Sequence, residues 1–308
     1  MSARALLRLL LLVQAAGALA IAALLHRWLG AAPWQAALAG LASVVVVRLA
    51  ISANNFAMSA RFGSPTPAGF ALTPAARLRL FAGEFKASML VSSWFMARAS
   101  AATRIYPGSA TAPVLLLHGY GANSGYWAHL TPLLDAARIS HLTLDLEPLT
   151  GDIDGYVPLV ERAAQALCEA SGSARLVVVA HSMGGLVARA WMRAHGAARV
   201  ARVITLGAPH HGTSLAAFGF GANAVQMRWA GASAEGEWLG QLAAGETPAT
   251  RALITSIYTH HDNIVAPQTS SLLPGARNIE FGGIGHVALG SNPAVLAVVM
   301  REIAAAPR

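Results

Sequence analysis

The sequence is short of charge. Only 12% of its 308 residues are Asp, Glu, Lys or Arg, against 55% hydrophobic, where a soluble domain carries about 25% charged residues. A chain so poor in charge avoids water over part of its length. Cysteine is nearly absent. The lone Cys168 excludes an intramolecular disulfide and a multi-cysteine zinc site, and it reads as a small buried hydrophobe in a helix over Tyr156–Ala170. Acids are scarcest at one end: residues 1–110 hold ten Lys and Arg but a single acid, Glu84, whereas the remainder has twelve Arg against thirteen acids. The net charge of +8 therefore belongs to the flanks of apolar stretches. That distribution points to lipid and away from nucleic acid as a partner.

Two apolar runs occupy the basic end. Leu9–Leu25 is uncharged between Arg8 and His26-Arg27, at the lower limit of length for crossing a bilayer and extendable by snorkelling arginines. Ala31–Val47 follows a turn containing Gly30 and Pro33, ends at Arg48, and continues with weaker character through Phe56 and Met58. We read residues 1–60 as a transmembrane helical hairpin of the bacterial inner membrane. The basic residues at both its ends place the rest of the chain on the cytoplasmic side. The rival is a cleaved signal peptide, with Arg4 and Arg8 as its positive end and Ala18-Leu19-Ala20 as the cut site. It leaves the second run unexplained. Residues 61–103 read as a linker, Phe62–Pro67, and then a helix over about Ala75–Ala99 begun by the cap Thr73-Pro74. That helix is amphipathic, suited to a membrane surface or to packing on the domain after it.

From Arg104 the rhythm changes. Val114–Leu117, His141–Leu144, Leu176–Val179, Val203–Thr205, Leu253–Tyr258 and Asn278–Phe281 read as strands, with helical stretches such as Leu159–Ala170 and Gly185–His195 between them. Apolar strands alternating with helices imply an α/β domain, residues 104–308, with a mostly parallel sheet covered on both faces.

Four short segments carry chemistry. The strand at Leu176–Val179 runs into Ala180-His181-Ser182-Met183-Gly184-Gly185, where a helix begins at once. Small-x-Ser-x-Gly at a strand-to-helix turn is the nucleophile-elbow pattern, here with Ala180 in the place usual for glycine. The turn holds the serine in a strained conformation, so small neighbours are needed, and it sets the serine at a helix N-terminus that favours negative charge. His118-Gly119-Tyr120 follows the first core strand, so the N–H groups of Tyr120 and Met183 are the candidate oxyanion donors. His118 reads as a histidine that shapes this loop. Downstream, Asp262 lies just past a strand end and His286 lies in Gly282-Gly283-Ile284-Gly285-His286. The order Ser, Asp, His is that of an elbow-type triad.

Ala180–Gly185 together with residues 253–290 resembles the small Bacillus-type lipase of the α/β-hydrolase family. There an Ala-His-Ser-Met-Gly elbow, an Ile-Tyr-x-x-x-Asp-x-Ile-Val segment and a Gly-x-Gly-His loop recur. Residues 112–300 more broadly resemble bacterial triacylglycerol lipases and esterases, while residues 1–103 have no counterpart. The resemblance implies an α/β-hydrolase fold, with Ser182 as nucleophile, His286 as base and Asp262 as its acid. It also implies hydrolysis of carboxylic esters, which needs no cofactor, and the anchor beside a basic, amphipathic segment favours lipophilic esters. Leu206–Thr213 resembles the Pro-His-x-Gly segment of larger lipases, and residues 210–250 after it read either as a short cap over the site or as ordinary helix packing.

The remaining polar residues fit quieter roles. His210-His211 and His260-His261 are adjacent pairs whose side chains diverge on an extended chain, a poor start for a metal site. Asp152 and Asp154 precede Ser182 and break the triad order, so they read as loop or cap residues. Glu161 and Glu169 suit a solvated helix face. Two other functions keep the same residues: a membrane-associated thioesterase or acyltransferase, because fold and triad do not fix the bond cleaved, and a scaffold that has lost catalysis. The sequence is silent on oligomeric state.

Overall fold

A computed structural model describes residues 2–231 and 236–307. The chain begins with two long antiparallel helices, α1 (Ala3–Leu29) and α2 (Pro33–Phe62). Gly30, at φ 65°, closes α1 in the left-handed conformation that glycine adopts freely. Pro33 opens α2, where its missing N–H is no loss. The helices meet closely: a Cβ on Gly40 would fall on the carbonyl of Ala18, and Ala36 is buried in the seam. Each is long and apolar enough to cross a membrane, with mean hydropathy 2.2 and 2.1 over its most apolar window. None of that window is buried in α1 and 17% of it in α2. α2 runs to Phe62, past the boundary expected at residue 60 and well beyond Arg48. Arg48 does not end the helix. It donates to Gln14 of α1 and to Ser92, both at 2.9 Å.

The expected amphipathic helix is α3 (Pro74–Leu90), continued by a π-helical stretch at Val91–Phe95 and by α4 (Met96–Arg98). It packs on the domain that follows, with Leu80, Glu84 and Ala87 buried. Next come seven strands, β1 (Thr103–Arg104), β2 (Val114–Leu117), β3 (His141–Leu144), β4 (Leu176–His181), β5 (Val200–Leu206), β6 (Ile254–Thr259) and β7 (Arg277–Phe281). Their order in one sheet is β1-β3-β2-β4-β5-β6-β7. Every pair is parallel except β1 with β3. Three helices cross between strands: α5 (Thr131–Ala136), α6 (Val157–Ser171) and α7 (Met183–His195). α8 (Ala222–Gln226), α9 (Glu237–Ala244) and α10 (Pro248–Ala252) lie between β5 and β6, and α11 (Pro293–Ala304) closes the chain.

Strand residues alternate between two cores. Leu115, Leu117, Val178 and Ala180 face the layer of α6 and α7, while Val114, Leu116, Val177 and Val179 face the layer of α11 and the Tyr126–Leu134 segment. Because both faces are covered, the four residues of β2 and the six of β4 are all buried. One helix-face expectation is corrected. Glu161 is not solvated: it accepts from Trp191 Nε1 at 2.8 Å and from Arg199 at 2.5 Å, with 12% of its side chain exposed.

The topology fixes where a site can lie. After β2 the chain goes to β3 on one side and returns to β4 on the other. The C-terminal ends of β2 and β4 therefore flank a topological switch point, where an open α/β sheet leaves a crevice.

Candidate active site

Ser182 stands at the end of β4 in that crevice. Its backbone, at φ 54° and ψ −126°, is in a region L-residues rarely adopt. The surroundings enforce it: the Ser182 N–H donates to Leu206 O at 2.9 Å and its carbonyl accepts from Gly185 N–H at 2.9 Å. Small neighbours are required here. A Cβ on Gly184 would lie 2.6 Å from Leu117 O, and one on Gly185 would lie 2.5 Å from Ala208 Cβ. Ala180, the departure from the usual glycine, points its methyl into the buried core between Leu117 and Thr205 of the neighbouring strands. The extra carbon fits.

Gly119, at the end of β2, lies against Ser182. A Cβ there would lie 2.8 Å from Ser182 Cβ, so only glycine lets this loop close on the serine. The loop carries Tyr120, and Met183 is the first residue of α7, whose leading N–H groups have no partner within the helix. His118 holds the loop from beneath: its Nε2 accepts from Leu146 N–H at 2.8 Å, so the ring proton belongs on Nδ1, beside Gly119 O. Burial pushes this histidine below its ordinary pKa, which keeps it neutral.

Asp262 and His286 are joined and buried, 3% and 4% exposed. Asp262 Oδ2 lies 2.8 Å from His286 Nδ1, while Oδ1 accepts from Ile264 N–H at 2.8 Å and Val265 N–H at 2.7 Å. Burial disfavours the charged imidazolium. The charge and hydrogen bond of Asp262, helped by Glu84, outweigh that and hold His286 above the ordinary histidine pKa. The pair borders the same strand end as Ser182. Next to Leu206, the place a Cβ would take on Gly207 is 3.1 Å from Asp262 Oδ2 and 3.2 Å from His286 Nδ1. His181, immediately before Ser182, has its ring centroid 4.5 Å from that of His286 and stacks on Tyr126 at 3.9 Å. Burial, and then the nearby charge of His286, keep His181 neutral.

Four further residues position this group, and the sequence did not reveal them. Asn263 Oδ1 accepts from the His286 N–H at 2.9 Å. Ser59 of α2 donates to Asp262 O at 2.6 Å, and Gln268 donates to both that carbonyl and the Ser59 hydroxyl. Glu84 of α3 accepts from Val287 N–H at 3.0 Å and Ala288 N–H at 2.9 Å, in the turn that follows His286. Burial raises the Glu84 carboxyl above its usual range, against the two N–H bonds and the charge of His286. A Cβ on Gly285 would strike it at 2.5 Å. Its isolation as the sole acid among 110 residues was the available signal, since a lone buried acid needs dedicated partners. Replacing Glu84 by alanine strands two part-buried N–H groups, each worth up to about 1–3 kcal/mol. Chemical denaturation is expected to register a loss of about 2–5 kcal/mol, together with lower activity as the His286 loop relaxes. Unchanged stability would show that the turn stands without the carboxylate.

The segment between β5 and β6 roofs the crevice. Tyr120 Oη accepts from Phe220 N–H at 3.0 Å and donates to Phe220 O at 2.9 Å, tying the loop after β2 to the 3-10 turn Ser214–Phe218 and its exit. Asp152 and Asp154 hold this roof through Gln226 and Trp238. Residues 232–235 of the expected 210–250 cap lie outside the described residues. Under the roof a cavity of about 460 Å³ reaches Ser182, lined chiefly by apolar groups such as Leu215, Ala216, Phe218, Met227 and Val265. The paired histidines are engaged elsewhere: His210 with Thr205, His260 with Glu280 and His261 with the Gly283 N–H. Among the described residues no group of three His, Cys, Asp or Glu could hold a metal ion.

Comparison with known proteins agrees with this architecture. The family described as alpha/beta hydrolase fold matches residues 112–237. The mature form of Bacillus licheniformis lipase BlEst2 is similar to this chain with a TM-score of 0.55 and 16% identity, over 66% of this chain and 97% of that one. Aspergillus fumigatus lipase B is similar with a TM-score of 0.56 and 21% identity, over 79% of this chain and 63% of its own. The sheet order, the parallel strands and these similarities give residues from β2 onward the α/β-hydrolase fold.

Proposed function

We propose that this chain is a membrane-anchored serine hydrolase that cleaves lipophilic carboxylic esters through an acyl-enzyme on Ser182. The observation that carries the reading is a serine at a strained strand-to-helix turn, held to a strand end that is also bordered by a buried histidine already paired with an aspartate. His286 takes the Ser182 proton as the hydroxyl oxygen attacks the ester carbonyl, and Asp262 keeps the imidazole in the tautomer that can accept it. The Tyr120 and Met183 N–H groups stabilise the oxyanion, each such donor contributing about 3 kcal/mol. The alcohol leaves with the proton from His286. Water, deprotonated by the same histidine, then releases the acid. These steps use only side chains and backbone of the chain itself.

The experiment is labelling with a fluorophosphonate followed by peptide mapping, alongside a panel of p-nitrophenyl esters and an acyl thioester. Modification at Ser182 with turnover of the oxygen esters is the expected outcome. Absence of labelling, or modification at another serine, would sink the reading, and preference for the thioester would reassign the substrate.

The apolar, unburied surfaces of α1 and α2 support a membrane hairpin, with both its ends and the catalytic unit in the cytoplasm. Alkaline phosphatase fused to the C-terminus should accordingly be inactive in cells. Active fusions would reverse the orientation.

A further inference from the structure

The cavity over Ser182 has a wall that the α/β-hydrolase fold does not supply. Asn54, Asn55 and Met58 of α2 line it, opposite Phe218 and Met227. Their spacing puts them on one side of the helix, beside Ser52 and Ser59, which are buried against the protein. Along its length the same helix is therefore apolar and exposed at Val45–Val47 and Ile51, and closes the site only in the turns that follow.

Depth can be counted along the hairpin. Trp28 and Trp34, 80% and 64% exposed, flank its tip, and tryptophan at helix ends settles at the headgroup level. From Trp34 to Asn54 the helix rises about 30 Å at about 1.5 Å per residue, the thickness of a hydrocarbon core. From Trp28 back to Arg8 the rise is also about 30 Å. Asn54 and Arg8 thus both mark the opposite headgroup level. Arg48 lies deeper, but Gln14 and Ser92 satisfy it there. Asn54, exposed at this level, lines the cavity, and the 3-10 turn Ser214–Phe218 packs against α2. Phe218 and Phe220 stand 64% and 78% exposed beside it. Such bare rings are costly in water and are accommodated among lipid acyl chains.

We infer that the acyl chain of a bilayer lipid ester slides along α2 into the Ser182 cavity, and that Asn54, Asn55 and Met58 determine which chains fit. The inference rests on the ester-hydrolase and membrane-hairpin reading. It makes the hairpin a specificity element as well as a tether.

Full-length protein in proteoliposomes tests it, with kcat/KM measured for p-nitrophenyl laurate and p-nitrophenyl butyrate. Wild type is expected to prefer laurate. Met58→Trp fills the wall and should lower the laurate-to-butyrate ratio about tenfold, as one misfitting group in an apolar pocket does. Met58→Ala, the variant that removes bulk, should extend turnover to p-nitrophenyl palmitate. Fluorophosphonate labelling of Ser182 in each variant shows that the site is assembled. Labelled variants whose chain-length profiles match wild type overturn the α2 wall while leaving the hydrolase reading intact, as does a wild type that prefers butyrate. A wild type that neither labels nor turns over any ester overturns that reading and this inference with it.

Discussion

Ser182→Ala is expected to lower kcat for p-nitrophenyl ester hydrolysis by a factor on the order of 10⁶, the loss seen when a hydrolase nucleophile is removed from an otherwise intact triad. Stability should barely move. The Ser182 side chain makes no capping hydrogen bond to α7, and alanine meets the same backbone strain at φ 54° that serine does. Thermal unfolding of the variant within a degree or two of wild type, together with lost turnover, separates chemistry from folding. A variant that keeps even a tenth of the activity would mean that another group attacks the ester.

Asp262→Asn should cost about 10⁴ in kcat/KM, for a reason that can be read atom by atom. Oδ1 of residue 262 receives two backbone N–H groups, from Ile264 and Val265, so the amide of asparagine must keep its oxygen there and turn its NH2 toward His286. Nδ1 then becomes an acceptor. The proton moves to Nε2, the nitrogen that should take the Ser182 proton. The pH profile offers an independent readout. A base works only when neutral, so kcat/KM rises with pH through the pKa of His286, which Asp262 holds above the ordinary histidine value. Removing the carboxylate charge lowers that pKa, and the acid limb of the surviving activity should move to lower pH. An acid limb that stays in place would assign it to a different group.

The core strands were legible because both faces of the sheet are covered, which leaves β2 and β4 as unbroken apolar runs. β1 was not, since its two exposed residues, Thr103 and Arg104, carry no apolar signal. The second hairpin helix was read as weakening after Arg48 because Ser52, Asn55 and Ser59 break the hydropathy. Ser52 is buried, Asn55 lines the cavity and Ser59 bonds to Asp262, so the helix continues where its hydropathy falls. Ser182, Asp262 and His286 stood in recognisable local frames, a strand-helix turn and two strand ends. Glu84, Asn263 and Gln268 did not, because each acts on backbone atoms. Glu84 does so across some two hundred residues of sequence. A side chain serving a distant main-chain N–H or C=O leaves no spacing to find.

Ser59 belongs to the hairpin, yet its hydroxyl holds the carbonyl of Asp262. The hairpin and the α/β domain are therefore not interchangeable parts. A chimera carrying a foreign hairpin of equal length and hydropathy would still lack this hydroxyl. A soluble fragment cut at residue 104 would lose Glu84 as well.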